Sequence, residues 1–281
     1  MNNTNNTNNT NTINKLAIVV LTRGYTDIKK YEMLIQRNIA IDKNLTNKSV
    51  DILIFHEGNI LEPHQQYICK FTPRLNIQFI CIKEYAFKNE KNQITHYSPS
   101  SCWDISYRHM CSFWFVDFWN YVENYDQILR IDEDCIIDFN VMQIFQMLQY
   151  KCAVYGEWKL DQDFVTLGLN KFTQGFLKEN IQIMHQIPPH RPSGPYTNVI
   201  GLNLHFLRQN RLIKQYIEKV KMSENIYIYR WGDLPLWGEV LFYLCDKNRH
   251  IKTELIKYYH GSHDYFVGGD NPKKKLRKMM V

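Results

Sequence analysis

"RIDEDCIID" at residues 130–138 places three carboxylates directly after the apolar run "QILRI" at residues 127–131. In an extended segment the side chains of Asp132 and Asp134 point to one side and that of Glu133 points to the other. Two unpaired carboxylates on one side repel each other, and a divalent cation with oxygen ligands removes that repulsion. Acidic triplets are also common in solvated turns, but apolar residues flank this one. We therefore expect a metal site whose open positions suit the oxygens of a nucleotide diphosphate.

Upstream of this stretch, apolar runs alternate with a helical pattern. "KLAIVVLTR" (residues 15–23) and "SVDILIFHEG" (residues 49–58) are typical of buried strands, and residues 27–44 between them repeat apolar side chains at helical spacing. A third strand pattern, "NIQFICI", follows at residues 76–82. This order predicts an α/β fold with a mixed, mostly parallel central sheet and helices on both faces. Ligands of such sheets bind beyond the carboxyl ends of the strands, where the acidic stretch lies.

The rest of the chain continues the same alternation without an internal repeat or a linker. Helices are predicted at residues 101–125, 140–150, 205–222 and 231–245. The pattern therefore indicates one domain at residues 14–268. The Asn/Thr-rich residues 1–13 are predicted to be a disordered tail, and residues 269–281 a basic tail.

Composition narrows the class of protein. With 44% hydrophobic residues, the 281-residue chain can bury a sizeable core. The formal charge of +6 includes five cations in "NPKKKLRKMMV" at residues 271–281, so it predicts no nucleic-acid partner. No apolar run reaches the ~20 residues of a membrane span, and no signal peptide is visible. We expect a soluble, cytoplasmic protein whose seven scattered cysteines are reduced.

Four blocks of the sequence resemble a known family. "YRHMCSF" (107–113), "YDQILRIDEDCIIDFN" (125–140), "RWGDLPLWGEVLFYL" (230–244) and "YYH" (258–260) are similar, in order and spacing, to signature blocks of the Golgi α-1,2-mannosyltransferases of glycosyltransferase family 15. The resemblance spans roughly residues 16–265. It implies a GT-A-type nucleotide-sugar transferase fold, a GDP-mannose donor, Mn²⁺ or Mg²⁺ as cofactor, and a glycan or glycoprotein acceptor, with retention of anomeric configuration.

The resemblance also assigns ligands to the metal. The acidic motif of the family falls on Asp132 to Asp134 and its metal-binding histidine falls on His260. His263, three residues later, is a rival ligand that only the "YYH" match disfavours. Mn²⁺ accepts both oxygen and nitrogen ligands, so this set is chemically consistent.

Departures from the family pattern are as informative. The family has Glu-Pro-Asp where this chain has Asp132, Glu133 and Asp134, and an arginine where this chain has Ser112. The family's "Ser-Asn-Phe-Glu-Ile-Gly", with its proposed nucleophilic glutamate, is matched by "YTNVIG" at residues 196–201. An ungapped match puts Val199 at the glutamate, and Asn198 is the nearest polar side chain. Since an amide forms no ordinary glycosyl ester, same-face attack assisted by the leaving phosphate becomes the simplest retaining mechanism. The missing hydrophobic anchor fits a divergent cytoplasmic or viral relative.

The remaining candidates have both a functional and a structural interpretation. Asp233 is either catalytic or the N-cap of the helix that Pro235 enters. Aromatic side chains such as Tyr107 and Trp231 stack on a base or sugar, or pack in the core. The predicted donor-binding residues are Arg23, Tyr107, Arg130, Asp132, Arg230 and Trp231, and the predicted catalytic residues are Asp233, Asn198 and Glu239.

Three functions are compatible with these patterns. The first is a metal-dependent glycosyltransferase. The second is a non-catalytic module that binds a nucleotide-sugar or a glycan, which the missing glutamate suggests. The third is a metal-dependent phosphoesterase, which would need a second set of acidic ligands that the sequence does not show.

Overall fold

Strand β1 (Leu16–Leu21) begins the folded part of the computed structural model, which describes residues 15–47, 49–181 and 191–268. The predicted tails at residues 1–13 and 269–281 lie outside the described residues. The other strands are β2 (Asp51–His56), β3 (Asn76–Cys81), β4 (Gln127–Ile131), β5 (Cys135–Ile137), β6 (Ala153–Tyr155), β7 (Trp158–Leu160), β8 (Ser193–Pro195), β9 (Val199–Asn203), β10 (His250–Lys252), β11 (Tyr258–His260) and β12 (Tyr265–Val267). The helices are α1 (Glu32–Asn44), α2 (Glu62–Cys69), α3 (Ile105–Ser112), α4 (Val141–Leu148), α5 (Leu169–Ile181), α6 (Leu204–Gln209), α7 (Arg211–Ser223), α8 (Asn225–Tyr229) and α9 (Asp233–Glu239).

The central sheet has seven strands in the order β10-β6-β9-β4-β1-β2-β3. Its pairs are parallel except those that β9 makes with β4 and β6, so β9 alone among these described strands runs in the opposite direction. This confirms the predicted mixed, mostly parallel sheet. After β3 the chain crosses back and adds β4 on the other side of β1, which makes the β1–β4 junction a topological switch point.

Both faces of the sheet are covered, as the sequence predicts. Along β1, Ala17 and Val19 face a core shared with α3, α5, α7 and α9, whereas Ile18 faces a core shared with α1 and α4. Val20 packs with Tyr31 from the turn before α1. The period-2 alternation of β1 therefore serves two separate cores, and none of these five side chains is exposed to solvent.

Two long helices predicted from the sequence are interrupted. The predicted helix at residues 101–125 begins as α3, continues as a π-helical turn at Phe113–Asp117 and ends as a 3-10 turn at Phe118–Tyr121. The predicted helix at residues 205–222 divides into α6 and α7 at Asn210, whose side chain accepts hydrogen bonds from the first amides of α7. Apolar periodicity alone does not show such breaks, because the apolar stripe continues across them.

The π-helical turn has a structural consequence. It brings residues five apart to the same face, so Ser112 donates a hydrogen bond to Asp117 at 3.1 Å. Burial raises the pKa of Asp117 to about 6, although Ser112 and nearby lysines oppose the increase. Below about pH 6 the protonated carboxyl is therefore the favoured form of Asp117 in the folded protein.

None of the helices in residues 15–47, 49–181 and 191–268 is long and apolar enough to cross a membrane.

Asp117 makes the free energy of unfolding depend on pH. Its folded pKa lies above its ordinary value of 3.8, so its contribution is present below that value and is lost as the pH rises through about 6. Asp117→Asn should remove this loss, so that the variant gains on the order of 2 kcal/mol relative to wild type between pH 4 and pH 7.5. Urea denaturation of wild type and variant at several pH values measures this difference in the free energy of unfolding. Asp246→Asn, at an exposed site, is the matched control and should change the free energy of unfolding by no more than about 0.5 kcal/mol.

Candidate functional site

The carboxyl ends of β1 and β4 lie side by side at the switch point, and the candidate site is built on the segments that follow them. The segment after β1 contains Thr22 and Tyr25, and the segment after β4 contains the three acidic residues. Because β9 is antiparallel to β4, its first residue pairs with Ile131 and Asn198 lies just outside the sheet. The amide of Asp132 donates to the carbonyl of Asn198 at 2.9 Å.

A second, three-stranded sheet supplies the histidine. Strand β5 pairs with β11 so that Cys135 lies opposite His260, and β11 pairs with β12. This register places His260 beside Asp134, 126 positions earlier in the chain. The amide of Gly261 donates to the carbonyl of Asp134 at 2.8 Å and holds the end of β11 against the acidic turn.

Arg130 lies at the centre of the buried charges. Its Nε and Nη2 donate to the two oxygens of Asp132 at 2.7 and 3.0 Å, and its Nη1 donates to Asp233 at 2.5 Å. The guanidinium also lies 4.2 Å from the ring centroid of Trp114. Burial lowers the pKa of Arg130, but the charges of the two carboxylates raise it by more than burial lowers it. The net shift is upward, so the group remains a cation. Burial raises the pKa of Asp132 despite this partner.

Asp233 begins α9 but does not cap it. The N-cap residue is Gly232, and it makes no side-chain capping bond. The carboxylate of Asp233 pairs with Arg130 instead, at a position where the side chain is 8% exposed. The structural interpretation of Asp233 as an N-cap is therefore wrong.

Asp134 has a different set of partners from Asp132. Its Oδ2 lies 3.3 Å from Nε2 of His260 and accepts from the amide of Ser262 at 3.0 Å. Burial raises the pKa of Asp134, but the hydrogen bonds from His260 and Ser262 outweigh it, so the pKa lies well below its ordinary value. The other ring nitrogen of His260 lies 2.8 Å from the hydroxyl of Tyr196, which fixes the orientation of the ring.

The two aspartates do not converge directly, contrary to the expectation from alternation. The amide of Cys135 donates to the carbonyl of Asp132 at 3.1 Å and closes a turn, so the segment is not extended. Asn198 links the two groups, because its Nδ2 lies 3.1 Å from Asp132 and 3.4 Å from Nε2 of His260. Arg130, Asp132, Asp134, Asn198, Asp233 and His260 thus form one connected set, the carboxylate–histidine network.

Val199 does not face this network. It is fully buried in the core on the Ile18 face of the sheet. The residue that the ungapped match aligns with the family's glutamate is therefore a core residue, and Asn198 is the side chain that reaches the network.

Glu133 points away from the network, as alternation predicts, and contacts the segment that follows β1. Its carboxylate accepts hydrogen bonds from the hydroxyls of Thr22 and Tyr25, on the segment that follows β1. These two contacts were not predicted from the sequence. The burial of the neighbouring apolar residues was a signal that the side of the turn facing away from the network would also contact protein.

Arg230 and Tyr107 form a second cluster. The Arg230 guanidinium pairs with Asp161 at 2.7 Å, donates to the hydroxyl of Tyr107 at 3.0 Å, and lies over the rings of Tyr107 and Trp103. Its backbone has φ +67°, a conformation that non-glycine residues rarely adopt and that is often found at functional sites. Trp103 and Asp161 were not recognised in the sequence because neither lies in a resemblance block.

The other predicted residues lie elsewhere. Arg23 is exposed beside the ring of Tyr25. Trp231 is 1% exposed, and its indole N–H donates to the carbonyl of Leu167, so it has no free face for stacking. Glu239 is fully buried, and its charge adds to the effect of burial in raising the pKa of Tyr216, a residue of the aromatic core.

The donor atoms at Asp134 and His260 suit a divalent cation. A carboxylate oxygen and an imidazole nitrogen lie 3.3 Å apart, and Mn²⁺ binds both ligand types. The third residue within reach, Cys135, does not fit, because burial raises the pKa of its thiol well above the ordinary value and thiols bind such cations only as thiolates. His263 is exposed, with its ring centroid 4.5 Å from that of His260. Among the described residues this is the one group in which three or more such ligand atoms lie within 4.8 Å of one another.

Two solved mannosyltransferase structures superpose on most of this chain. The structure of the mannosyltransferase Ktr4p from S. cerevisiae superposes with a TM-score of 0.73 at 18% identity, covering 88% of this chain and 70% of that one. Core-mannan synthase A (CmsA/Ktr4) from Aspergillus fumigatus superposes with a TM-score of 0.73 at 16% identity, covering 92% and 77%. The chain has the GT-A fold. No family model and no curated protein sequence matches it.

The GT-A fold confirms the fold class that the sequence resemblance implied. The same yeast protein was also solved in complex with GDP, and the Aspergillus protein in its Mn/GDP form. At these identities the similarity is one of fold, and the chemistry of this GT-A site depends on the carboxylate–histidine network itself.

Removal of the Arg130 charge tests whether this network is built on it. Arg130→Met leaves Asp132 and Asp233 buried without a cation, so we expect a loss of about 3–5 kcal/mol in the free energy of unfolding at pH 8. Burial already raises the pKa of Asp132 against the opposing charge of Arg130, and without that cation it should rise further, so the loss should shrink as the pH falls toward 5. Chemical denaturation measures both effects.

The matched control is Arg74→Met, which removes an exposed pair with Asp42 in which Arg74 is 60% exposed. Arg74→Met should lower the free energy of unfolding by only about 0–1 kcal/mol. Equal losses in the two variants would contradict the central role of Arg130.

Proposed function

We propose that the protein is a metal-dependent glycosyltransferase that moves mannose from GDP-mannose to a hydroxyl of a glycan or glycoprotein acceptor, with retention of configuration. The observation that carries the proposal is the Asp134–His260 pair, placed by the GT-A fold at the topological switch point, 3.3 Å between ligand atoms. The GDP and Mn/GDP complexes of the two structurally similar mannosyltransferases support the choice of donor.

The donor diphosphate is expected beside Asp134 and His260. A bound Mn²⁺ or Mg²⁺ would neutralise the charge that develops on the departing diphosphate. Tyr196 holds the ring of His260 so that Nε2 faces the carboxylate of Asp134. Arg130 does not bind the diphosphate in this scheme, because its guanidinium is occupied by Asp132 and Asp233. Its role is to hold both carboxylates in place.

Asn198 and Asp233 are the groups that act on the reacting sugars in this proposal. Asn198 contacts both Asp132 and His260, so its amide is positioned to orient the transferred sugar. The carboxylate of Asp233 pairs with Arg130 and offers an oxygen that can accept a hydrogen bond from the attacking hydroxyl. Glu239 lies in the aromatic core and is a less suitable helper. Tyr107 and Arg230 lie beside Asp233. Burial raises the pKa of Tyr107, and the charge of Asp233 adds to that increase. Both side chains suit contacts with donor or acceptor hydroxyls.

Donor binding is the direct test. Thermal unfolding with and without Mn²⁺ should show stabilisation by GDP-mannose, about 2.7 kcal/mol at 100 times its dissociation constant, and less by UDP-sugars. Release of free GDP with transfer to a mannoside supports the enzyme. Metal-dependent binding without any turnover would favour the non-catalytic module instead.

Substitution of the proposed metal ligands should separate the two histidines. Asp134→Ala and His260→Ala should each weaken Mn²⁺ binding by at least about tenfold, as expected when an ordered ligand is lost, and should abolish Mn²⁺-dependent turnover. His263→Ala should do far less, because its ring is exposed and lies outside the Asp134 pair. Isothermal titration with Mn²⁺ measures the affinities, and equal losses for His260→Ala and His263→Ala would show that the wrong histidine is assigned.

The reaction should retain configuration without a glycosyl-enzyme intermediate at residues 198–199. Asn198→Ala should slow transfer by about 10- to 100-fold, the effect of one lost polar contact with the sugar, without abolishing it. NMR of the product gives the anomeric configuration, and intact mass spectrometry during turnover detects any adduct. An inverted product, or a sugar trapped on a carboxylate, would contradict this mechanism.

A further inference from the structure

Lys159 of β7 lies between two tyrosine rings near the carboxylate–histidine network. Its Nζ is 3.9 Å from the ring centroid of Tyr196, which follows β8, and 4.0 Å from that of Tyr265 in β12. A cation at such a distance from a ring is attracted by the negative face of the π system. Lys159 therefore holds three segments of the chain together through its charge.

Glu157 completes this arrangement. Its carboxylate lies 3.2 Å from Nζ of Lys159 and accepts a hydrogen bond of 3.0 Å from the hydroxyl of Tyr265. Its backbone carbonyl accepts from the amide of Tyr196 at 2.8 Å. A partly exposed ion pair contributes little by itself, but here the same cation also contacts two rings. Glu157, Lys159, Tyr196 and Tyr265 thus form one connected group, the lysine–tyrosine cluster.

Tyr196 connects this cluster to the proposed metal ligands. Its hydroxyl lies 2.8 Å from Nδ1 of His260, and the two rings meet edge to face with centroids 5.7 Å apart. The other ring nitrogen of His260 lies 3.3 Å from Asp134. The partner of one ring nitrogen sets the direction in which the other points. Tyr196 is partly exposed, so burial alone does not fix its ring, and the contact with Lys159 supplies a further constraint.

We propose that Lys159 is a positioning residue for the metal site, which holds the Tyr196 ring so that its hydroxyl orients His260 toward Asp134. This inference rests on the proposed function, in which Asp134 and His260 bind the cation. An ammonium group has three donors and no lone pair, so Lys159 is not itself a ligand. Its contacts are with Glu157 and the two rings, and its effect on His260 therefore passes through Tyr196.

Two measurements test this role. The first is the affinity for Mn²⁺ by isothermal titration, and the second is the nitrogen NMR resonance of Nδ1 in His260 in the metal-free protein, assigned with His260→Ala. Tyr196→Phe should weaken Mn²⁺ binding by about tenfold or more and shift the resonance, because the hydroxyl partner is lost. Lys159→Met should weaken binding by about three- to tenfold and shift the resonance in the same direction. Lys159→Arg, which keeps a cation for the rings, should restore both wild-type values.

A double substitution and a matched control test the route of the effect. In a protein that already carries Tyr196→Phe, Lys159→Met should have no further effect on either measurement, because the hydroxyl through which it acts is absent. Lys70→Met removes a different cation, which lies 4.3 and 4.8 Å from the rings of Tyr67 and Phe71 beside α2. This control should leave both measurements at the wild-type values.

Three results would overturn the role of Lys159 and leave the proposed function standing. They are wild-type values of both measurements in Lys159→Met, equal losses in Lys159→Arg and Lys159→Met, and a further loss in the double variant. If wild type binds no Mn²⁺, the proposed function fails, and the resonance of His260 alone decides whether Lys159 positions the ring. If Lys159→Met does not fold, Tyr265→Leu, which removes one of the two rings that hold Lys159, takes its place.

Discussion

The buried guanidinium of Arg130 joins three parts of the molecule that are distant in the sequence. It belongs to β4, it pairs with Asp132 in the following turn and with Asp233 at the start of α9, and it lies against Trp114 of the π-helical turn. Removing such a cation from water costs several kcal/mol, which is offset only when the geometry and hydrogen bonding are good. Here three N–H groups meet three carboxylate oxygens at 2.5–3.0 Å. The position of α9 relative to the sheet, and hence the shape of the site, depends on this interaction.

Local patterns in the sequence were sufficient for the sheet but not for the contacts of the site. The strands β1 to β4 follow from apolar runs of the right length, and the α/β fold follows from their alternation with helices, whereas only the family resemblance implied the GT-A type. The partners of Asp132 and Asp134 did not follow, because a turn replaces the extended backbone on which the alternation rule depends. The pairing of His260 with Asp134 depends on the register of β5 and β11, a contact between distant segments that no local period contains. Only the resemblance to the family indicated that histidine.

The amide of Asn198 suits the electrostatics of its place in the network. Asn198 lies 3.1 Å from Asp132 and donates to it. A carboxylate at the same place would meet Asp132 as a like charge in a buried region, and one of the two would have to take up a proton. The amide instead adds a donor to Asp132, which complements the two hydrogen bonds from Arg130. Asn198 therefore joins the network from the position next to Val199, the residue aligned with the family's glutamate, which is buried in the core with Ile18.

The charges around the switch point also favour a divalent cation. Four carboxylates lie there, on Asp132, Glu133, Asp134 and Asp233, against the two buried guanidiniums of Arg37 and Arg130. Arg37 donates to the carbonyl of Ile131, beneath the acidic turn, and burial lowers its pKa to about 9 against the opposing influence of Asp132, Cys135 and Glu133. Carboxylates therefore outnumber the two buried guanidiniums in this region. A divalent cation at Asp134 and His260 would offset negative charge that Arg37 and Arg130 leave uncompensated. The suitability of the site for a cation thus depends on the surrounding charges as well as on the two residues that would hold it.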